Sequence, residues 1–202
     1  MDDVAAILLA AGLSRRMGAQ NKLLMAVSGK PMVRHVAEIY SSALTLPLTV
    51  VTGHEAEKIR TVLAGLPVAF AHNQNFAEGQ PGSVATGLEA APVSELLLIG
   101  LADQPRLTEG DLMQLVQWHR SNDPEKITVP KLGAERGNPI VVPRALRPRL
   151  TENPSRPGCM RLTRDRPDLV QFAPVTADGF YTDVDTPEDY AARTRKETET
   201  AG

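Results

Sequence analysis

Short apolar runs alternate along this chain with longer segments in which apolar residues recur at helical spacing. The runs are typical of strands buried on both faces, and they span residues 4–9, 48–51, 68–71, 96–101, 127–129 and 140–142. Helical spacing covers residues 30–43, 55–63, 83–91 and the segment after Thr108, and a last helix is predicted to start at Thr186. This alternation predicts an α/β domain built on a mostly parallel sheet.

Polar residues and prolines mark where several of these helices begin. Thr108 followed by Asp111 resembles a capping box, with Asp in the position usually held by Glu. Ser83 is expected to cap the helix that starts there, and Pro31 suits the first turn of the helix over 30–43. The pattern thus predicts helix starts at residues 30, 83 and 108.

Three loops are predicted to share one edge of the sheet, because ligands of parallel sheets bind beyond the carboxyl ends of the strands. These loops are residues 10–22, 72–82 and 102–105. The segment 130–175 is rich in proline and arginine and has a less regular pattern. We expect it to form a flap over the same edge, within a single domain that spans residues 1–202.

The composition narrows the class of protein. The chain has 202 residues, 42% of them hydrophobic and 23% charged, with a formal net charge of −2, which argues against a broad nucleic-acid or membrane surface. The single cysteine, Cys159, can form neither an internal disulfide nor a thiolate metal site alone. No apolar run reaches the roughly 18 residues of a membrane-spanning helix. We expect a cytoplasmic protein with no nucleic-acid or membrane partner.

The loop after the first strand, LAAGLSRRMGAQNK over residues 9–22, concentrates small and basic residues. Its small residues let the backbone approach a ligand closely, and successive N–H groups in such a turn can bind an anion. Arg16 offers a planar fork of donors suited to phosphate, and Lys22 a point charge on a long stem. The loop is therefore interpreted as a triphosphate site, although a solvated basic loop is the structural alternative.

Two acidic residues lie at the predicted boundaries of a strand and a helix. Asp103 leaves the strand over 96–101 at the ligand edge, where one carboxylate can help to hold Mg²⁺; a plain turn residue is the alternative. Asp185 precedes Thr186 and Pro187 at the start of the last helix. Either Asp185 or Thr186 could cap that helix instead of serving a ligand.

The string Leu-Ala-Ala-Gly-x-Ser-x-Arg-Met-Gly-x-x-x-Lys resembles the signature of the MobA-like nucleotidyltransferases and, among them, of the molybdenum cofactor cytidylyltransferases. The resemblance implies a three-layer α/β sandwich of the Rossmann-like nucleotide-diphospho-sugar transferase type. It implies that Arg16 holds the β- and γ-phosphates and that Lys22 stabilises the α-phosphate. The nucleotide-binding residues that it implies are Leu9, Ala10, Ala11, Gly12, Ser14, Arg16, Lys22, Asn73, Gly79 and Ser83.

The resemblance also assigns the metal and the second substrate. Ala-Asp-Gln-Pro is similar to the family's metal-binding loop, so Asp103 is implied as a Mg²⁺ ligand. Asp-x-Asp-Thr-Pro-Glu-Asp implies Asp185 as a second ligand, with Asp183 as a further candidate. The Arg-Gly-Asn-Pro segment implies that Arg136 and Asn138 meet the acceptor, with the 130–175 flap on that side.

The activity implied by this resemblance is Mg²⁺-dependent transfer of CMP from CTP to molybdopterin cofactor, with release of pyrophosphate, and a molybdoenzyme as a further partner. Arg16, Lys22 and Asp103 would be the catalytic residues. Ala11, where guanylyl relatives more often have Gly, favours CTP over GTP because its β-carbon removes room that a purine needs.

Two alternatives stay open. One is a related guanylyl-, sugar-phosphate or isoprenoid-phosphate nucleotidyltransferase. The other is a non-catalytic molybdenum cofactor carrier or chaperone. The chain departs from the family's Gly-Asp-x-Gly-Ala-Arg segment at residues 157–161, where it contains Cys159. No catalytic role is assigned to that cysteine.

Overall fold

The computed structural model describes residues 3–18, 20–152 and 159–192, and its elements follow the predicted alternation. In chain order they are β1 (Val4–Ala10), β2 (Ala26–Val27), β3 (Lys30–Pro31), α1 (Met32–Ala43), β4 (Leu48–Thr52), α2 (Ala56–Val62), β5 (Val68–His72), α3 (Gln80–Ala90), β6 (Leu96–Leu101), α4 (Glu109–Ser121), β7 (Ile127–Leu132), β8 (Glu135–Arg136), β9 (Ile140–Pro143), α5 (Cys159–Asp165) and β10 (Val170–Ala173). Residues 187–192 are also helical.

The large sheet has the strand order β10-β7-β9-β6-β1-β4-β5, with β8 paired to β7. Strand β1 runs parallel to both neighbours, so that Leu8 lies opposite Val50 of β4 and Gly100 of β6. Strand β9 is antiparallel to β6 and to β7, and β10 is parallel to β7. The predicted mostly parallel sheet is therefore confirmed, and its antiparallel members are β9 and the short β8.

Side chains alternate across the sheet and divide the core into two layers. From β1, Ala6 and Leu8 point into the layer that contains α1, α2 and α4, whereas Ala5 and Ile7 point into the layer that contains α3 and α5. Leu8 and Ile7 are both completely buried. Each side chain of this size contributes about 1.5–3 kcal/mol by leaving water. The result is the three-layer sandwich that the resemblance implied.

Segment 130–175 differs from the expected flap. Strands β9 and β10 and the second half of β7 place much of it within the sheet. Leu146, Leu150 and Leu162 pack against the α3 side of the core, so the described residues between β9 and β10 cover a face of the sheet. The segment's irregular pattern reflects short turns over that face. Residues 153–158, including part of the atypical 157–161 segment, lie outside the described residues.

Helix starts were predicted with mixed success. The capping box is confirmed: Asp111 N–H donates to Thr108 Oγ1 at 3.1 Å, and Thr108 N–H donates to Asp111 Oδ2 at 2.9 Å. The cap assigned to Ser83 is wrong, because α3 already begins at Gln80 with Pro81 in its first turn. Helix α1 begins after Pro31 because Lys30–Pro31 pairs with β2 as a small hairpin.

No helix among residues 3–18, 20–152 and 159–192 is both long and apolar enough to span a bilayer.

Candidate active site

Three segments that are distant in sequence meet at the carboxyl edge of the sheet. The loop after β6 follows β1, since Ala102 N–H donates to the Leu9 carbonyl at 3.1 Å. The late loop before residue 187 joins it, since Val184 N–H donates to the Asp103 carbonyl at 2.9 Å. These backbone hydrogen bonds place the basic loop and both acidic loops side by side.

Lys22 is the centre of this arrangement. Its Nζ lies 2.5 Å from Asp103 Oδ2 and 2.6 Å from Asp185 Oδ1. Arg16 Nη2 lies 2.7 Å from the other oxygen of Asp185. The Lys22 side chain is only 11% exposed, whereas that of Arg16 is 69% exposed. The structure thus brings together the predicted cations and the predicted acids Asp103 and Asp185.

Hydrogen bonds within the basic loop fix the backbone of Lys22. Ser14 lies in the left-handed region, with φ of 50°, and its Oγ accepts from the Lys22 N–H at 3.2 Å. The same hydroxyl donates to Asn21 Oδ1 at 3.3 Å, and that oxygen accepts from Leu23 N–H at 3.1 Å. Ser14, predicted to bind nucleotide, therefore closes the loop around the lysine.

The small residues at the start of this loop have different environments. Ala10 is buried in the core, and Ala11 is 4% exposed. Gly53 directly follows β4, and a Cβ built on it would lie 2.9 Å from the Ala11 Cβ atom. The Ala11 side chain therefore packs toward the end of β4. Gly12 is exposed, with open space where a side chain would point. Of these three small residues, Gly12 is therefore the exposed one, whereas Ala10 and Ala11 are buried.

Three carboxylates form one acidic cluster. Asp103, Asp183 and Asp185 each place an oxygen within 4.8 Å of the others. Asp103 Oδ1 is buried and has no hydrogen-bond partner among the described residues. Buried oxygens normally have a partner, and carboxylate oxygens are what Mg²⁺ and Mn²⁺ prefer. The residues present therefore fit a divalent cation. Asp183, the further candidate in the sequence, lies with the two preferred acids Asp103 and Asp185.

The charges of this cluster do not balance. Burial raises the pKa of the Asp183 carboxyl, and the neighbouring Asp103 and Asp185 raise it further. Burial alone would lower the pKa of the Lys22 ammonium, but Asp103 and Asp185 outweigh that effect and raise it. Three carboxylates against the ammonium and the Arg16 guanidinium leave a net charge of −1.

The last helix uses Thr186, and not the Asp185 carboxylate, as its cap. Asp189 N–H donates to Thr186 Oγ1 at 3.2 Å, and Thr186 N–H donates to Asp189 Oδ2 at 2.8 Å. The Asp185 backbone N–H also donates to Asp189, at 3.1 Å. The side chain of Asp185 therefore does not cap this helix and contacts Lys22 and Arg16 instead, while its role as a metal ligand stays a prediction.

The loop before α3 is held by side chains predicted to bind nucleotide. Asn73 Nδ2 donates to Ser83 Oγ at 3.0 Å, and Asn73 Oδ1 accepts from Asn75 N–H at 2.9 Å. Both Asn73 and Ser83 are at least 95% buried. Gly79 has φ of 113°, which favours glycine. These residues shape the loop, and their side chains are turned away from solvent.

The two predicted acceptor residues have different neighbours. Asn138 N–H donates to the Phe180 carbonyl at 2.8 Å, which ties the loop after β8 to the segment leading into Asp183. The Arg136 guanidinium lies 5.1 Å from the centre of the Phe172 ring, and its Nη1 lies 3.4 Å from Thr163 Oγ1. Arg136 is therefore exposed but held by contacts to β10 and α5.

Two residues near Asp103 escaped the sequence analysis. Gln104 is 3% exposed, and its Nε2 donates to the Phe180 carbonyl at 3.1 Å. His35 of α1 places Nε2 3.1 Å from the Pro105 carbonyl. Both support the loop that carries Asp103. The only signal for Gln104 was its place inside the Ala-Asp-Gln-Pro motif.

Cys159 has the properties of a packing residue. Burial raises the pKa of its thiol to about 12, so the thiol stays protonated at neutral pH. The expectation that Cys159 has no catalytic role stays a prediction.

Comparison with known proteins identifies related sequences along most of the chain. A family model described as the MobA-like NTP transferase domain matches residues 6–170. The chain is 27% identical to nicotine blue oxidoreductase of Paenarthrobacter nicotinovorans over 190 residues, covering 92% of this chain and 93% of that protein. It is 35% identical to the bifunctional protein GlmU of Caldanaerobacter subterraneus over 122 residues, covering 60% of this chain. The chain spans only 26% to 32% of the length of its GlmU relatives.

Solved structures share the fold over nearly the whole chain. A nucleotidyl transferase from Methanothermobacter thermautotrophicus has a TM-score of 0.79 at 19% identity, with both chains fully covered. The Mycobacterium tuberculosis protein Rv0371C, in complex with manganese, has a TM-score of 0.68 at 18% identity, covering 96% of this chain and 98% of that one. CMP:2-keto-3-deoxy-manno-octonic acid synthetase, in complex with CTP, has a TM-score of 0.71 at 15% identity, covering 98% and 99%.

Proposed function

The chain belongs to the family of MobA-like NTP transferase domains, and we propose that it transfers CMP from CTP to a phosphate-bearing acceptor, the molybdopterin cofactor, with release of pyrophosphate. The observation that carries the proposal is the contact of Lys22 with Asp103 and Asp185 at the ligand edge of the sheet. A cation for phosphate and acids for a metal meet there in one place. One relative of the chain is named as an oxidoreductase, so the proposal rests on this site more than on the family.

The charge of the site supports a metal-dependent reaction. A triphosphate carries several negative charges and would meet a cluster whose own net charge is −1. Coulomb repulsion in a partly buried site is strong, so Arg16 and Lys22 alone do not neutralise both. Asp103, Asp183 and Asp185 would hold Mg²⁺, which when bound neutralises phosphate oxygens and orients them. A manganese complex of a structure with the same fold is consistent with this role.

The chain's own residues supply positioning and positive charge. Lys22, fixed at its backbone by Ser14, would place its ammonium on the α-phosphate, where charge builds up during attack. Arg16, on an exposed stem, would hold the β- and γ-phosphates and so orient pyrophosphate as the leaving group. An ionised acceptor phosphate is already a nucleophile, so the reaction requires no general base.

The preference for CTP needs a different physical reason from the one that the sequence suggested. The Ala11 side chain packs beside Gly53 and not into open space. Its β-carbon would therefore act through the backbone, by setting how closely the segment before Gly12 approaches the base. A structure with the same fold was solved in complex with CTP, which is consistent with this choice of nucleotide.

We propose that the acceptor binds beside Arg136 of β8 and Asn138 of the loop that follows. Asn138 is joined through the Phe180 carbonyl to the acidic loop, so a group bound beside it would lie next to the reacting phosphate. Arg136, held over Phe172, would contact the acceptor phosphate from the exposed side. The product, a cytosine dinucleotide form of the cofactor, would then pass to a molybdoenzyme.

The test is identification of the product by mass spectrometry after incubation with Mg²⁺ and CTP, GTP or ATP. The acceptors are molybdopterin cofactor, a sugar phosphate and an isoprenoid-precursor phosphate. A CMP–molybdopterin product from CTP alone supports the proposal. A GMP product would refute the base assignment, and a product only with another acceptor would refute molybdopterin. Tight binding of the cofactor with no product from any pair would favour the carrier alternative.

A further inference from the structure

The Lys22 ammonium fills the gap between two of the three carboxylates that would hold a divalent cation. Its Nζ is 2.5 Å from Asp103 Oδ2 and 2.6 Å from Asp185 Oδ1. Mg²⁺ held by Asp103 and Asp185 would compete with this ammonium for the same carboxylates. An ion and an ammonium cannot occupy one gap between two oxygens, both because their atoms would overlap and because both are positive.

We propose that Lys22 acts as an internal counter-ion that excludes the divalent cation until nucleotide binds. This rests on the proposed function of the site. In the nucleotide-free protein the ammonium neutralises Asp103 and Asp185; when a triphosphate arrives with its metal, the ammonium moves to the phosphates and the metal takes its place. The site therefore binds the metal–nucleotide complex and not the free metal ion.

The surroundings of Lys22 allow this exchange with little rearrangement. Its backbone N–H is held by Ser14 Oγ at 3.2 Å, so the loop can stay in place while the side chain changes direction. The Asp103 backbone is held independently, through its carbonyl, by Val184 N–H at 2.9 Å. Asp103 Oδ1 is buried and without a partner among the described residues, so one oxygen of this acid is available to a metal.

Arg16 offers a matched comparison because it contacts the same acid from outside. Its guanidinium binds Asp185 Oδ2 and does not touch Asp103 in the described part of the chain. Its side chain is 69% exposed, so solvent screens this pair far more than the Lys22 contacts. Removing Arg16 deletes one positive charge near the acids but leaves the gap between them filled by Lys22.

The experiment measures Mn²⁺ binding by electron paramagnetic resonance of the free ion, without nucleotide. The proteins are wild type, Lys22→Met, Lys22→Gln and Arg16→Met, each checked for folding by circular dichroism. Removing a cation in contact with two carboxylates should tighten Mn²⁺ binding about tenfold or more in both Lys22 variants. Removing the exposed Arg16 should change it by about threefold or less. Lys22→Gln keeps a hydrogen-bond donor, so agreement between the two variants rules out loss of packing as the cause.

Two results would overturn the proposal. One is that the Lys22 variants bind free Mn²⁺ no tighter than wild type. The other is that Arg16→Met gains as much Mn²⁺ affinity as the Lys22 variants, which would show that the net charge of the site, and not the position of Lys22, controls metal binding. Calorimetric titration of wild type with CTP, in the presence and absence of Mn²⁺, separates this from failure of the proposed function. If CTP binds tightly only with Mn²⁺ while the Lys22 variants show no gain, only the counter-ion role is wrong. If CTP does not bind at all, the nucleotidyl-transfer proposal is refuted as well.

Discussion

Gly100→Ala should destabilise the protein by overpacking the core directly beneath the acidic loop. Gly100 lies in β6, opposite Leu8 and three residues before Asp103. A Cβ built on Gly100 would lie 1.9 Å from Tyr40 Oη and 2.7 Å from Tyr40 Cζ, far inside van der Waals contact. Tyr40 of α1 is completely buried, so its ring has no solvent to move into.

The magnitude follows from two opposing effects. Overpacking a filled core costs about 1–3 kcal/mol, and the fixed position of the ring places this substitution at the upper end. Replacing Gly by Ala within a strand recovers about 0.5–1 kcal/mol of backbone entropy. The net loss in free energy of unfolding should therefore be about 2 kcal/mol, measured by urea denaturation followed by circular dichroism.

A double-mutant cycle with Tyr40→Phe identifies the clash. The Tyr40 hydroxyl is buried and has no hydrogen-bond partner among the described residues, so its removal should cost less than about 1 kcal/mol. Without it, Gly100→Ala should cost at least about 1 kcal/mol less, because the atom at 1.9 Å is gone. An equal cost in both backgrounds, or a cost below about 0.5 kcal/mol in wild type, would refute this account of the packing.

Arg16, His119 and Cys159 each give a further prediction. Arg16→Met should lower kcat/KM for the nucleotide about 10- to 100-fold, because it removes a charged hydrogen bond to phosphate; steady-state kinetics that match wild type would contradict this. Burial lowers the pKa of His119, whose Nδ1 lies 2.8 Å from Thr128 Oγ1. As the pH falls, His119 of the unfolded chain takes up a proton before His119 of the folded chain, because its pKa in the folded chain is lower. The stabilisation that comes from keeping His119 neutral is therefore complete above about pH 6.5, and it is lost as the pH falls through the folded pKa. The urea midpoint should fall more steeply below that pH in wild type than in His119→Leu; identical slopes would oppose the assignment. Cys159→Ala should leave turnover within about twofold, since its thiol is protonated at neutral pH; a larger loss would reveal a missed role.

The sequence was most informative where one physical signal dominated. The runs at 4–9 and 96–101 are continuous and apolar because β1 and β6 are covered on both faces by helices. Strand β10 was not predicted because it is short and lies at the edge of the sheet. It also includes the polar residue Gln171, whose side-chain amide donates hydrogen bonds to the Asp123 carbonyl and to Thr128 Oγ1. Its pairing with β7 comes from tertiary contacts that a local pattern does not contain.

The candidate site could be predicted only in part, for a related reason. Four site residues belong to sequence motifs whose chemistry can be interpreted, and the structure brings them together: Arg16, Lys22, Asp103 and Asp185. The part played by Gln104 depends on a carbonyl 76 residues away, at Phe180. Which of Asp185 and Thr186 caps the last helix was likewise decided by hydrogen-bond geometry and not by residue type.

The most direct test of the central claim is Mg²⁺-dependent release of pyrophosphate from CTP with molybdopterin cofactor, comparing wild type with Asp103→Asn. The substitution keeps the size of the side chain but removes a charge that would hold the metal. The account predicts rapid release by wild type and a loss of about 100-fold or more in the variant, since metal-ion stabilisation of the transition state is worth several kcal/mol. Equal rates in the two proteins, or no release by folded wild type, would contradict it.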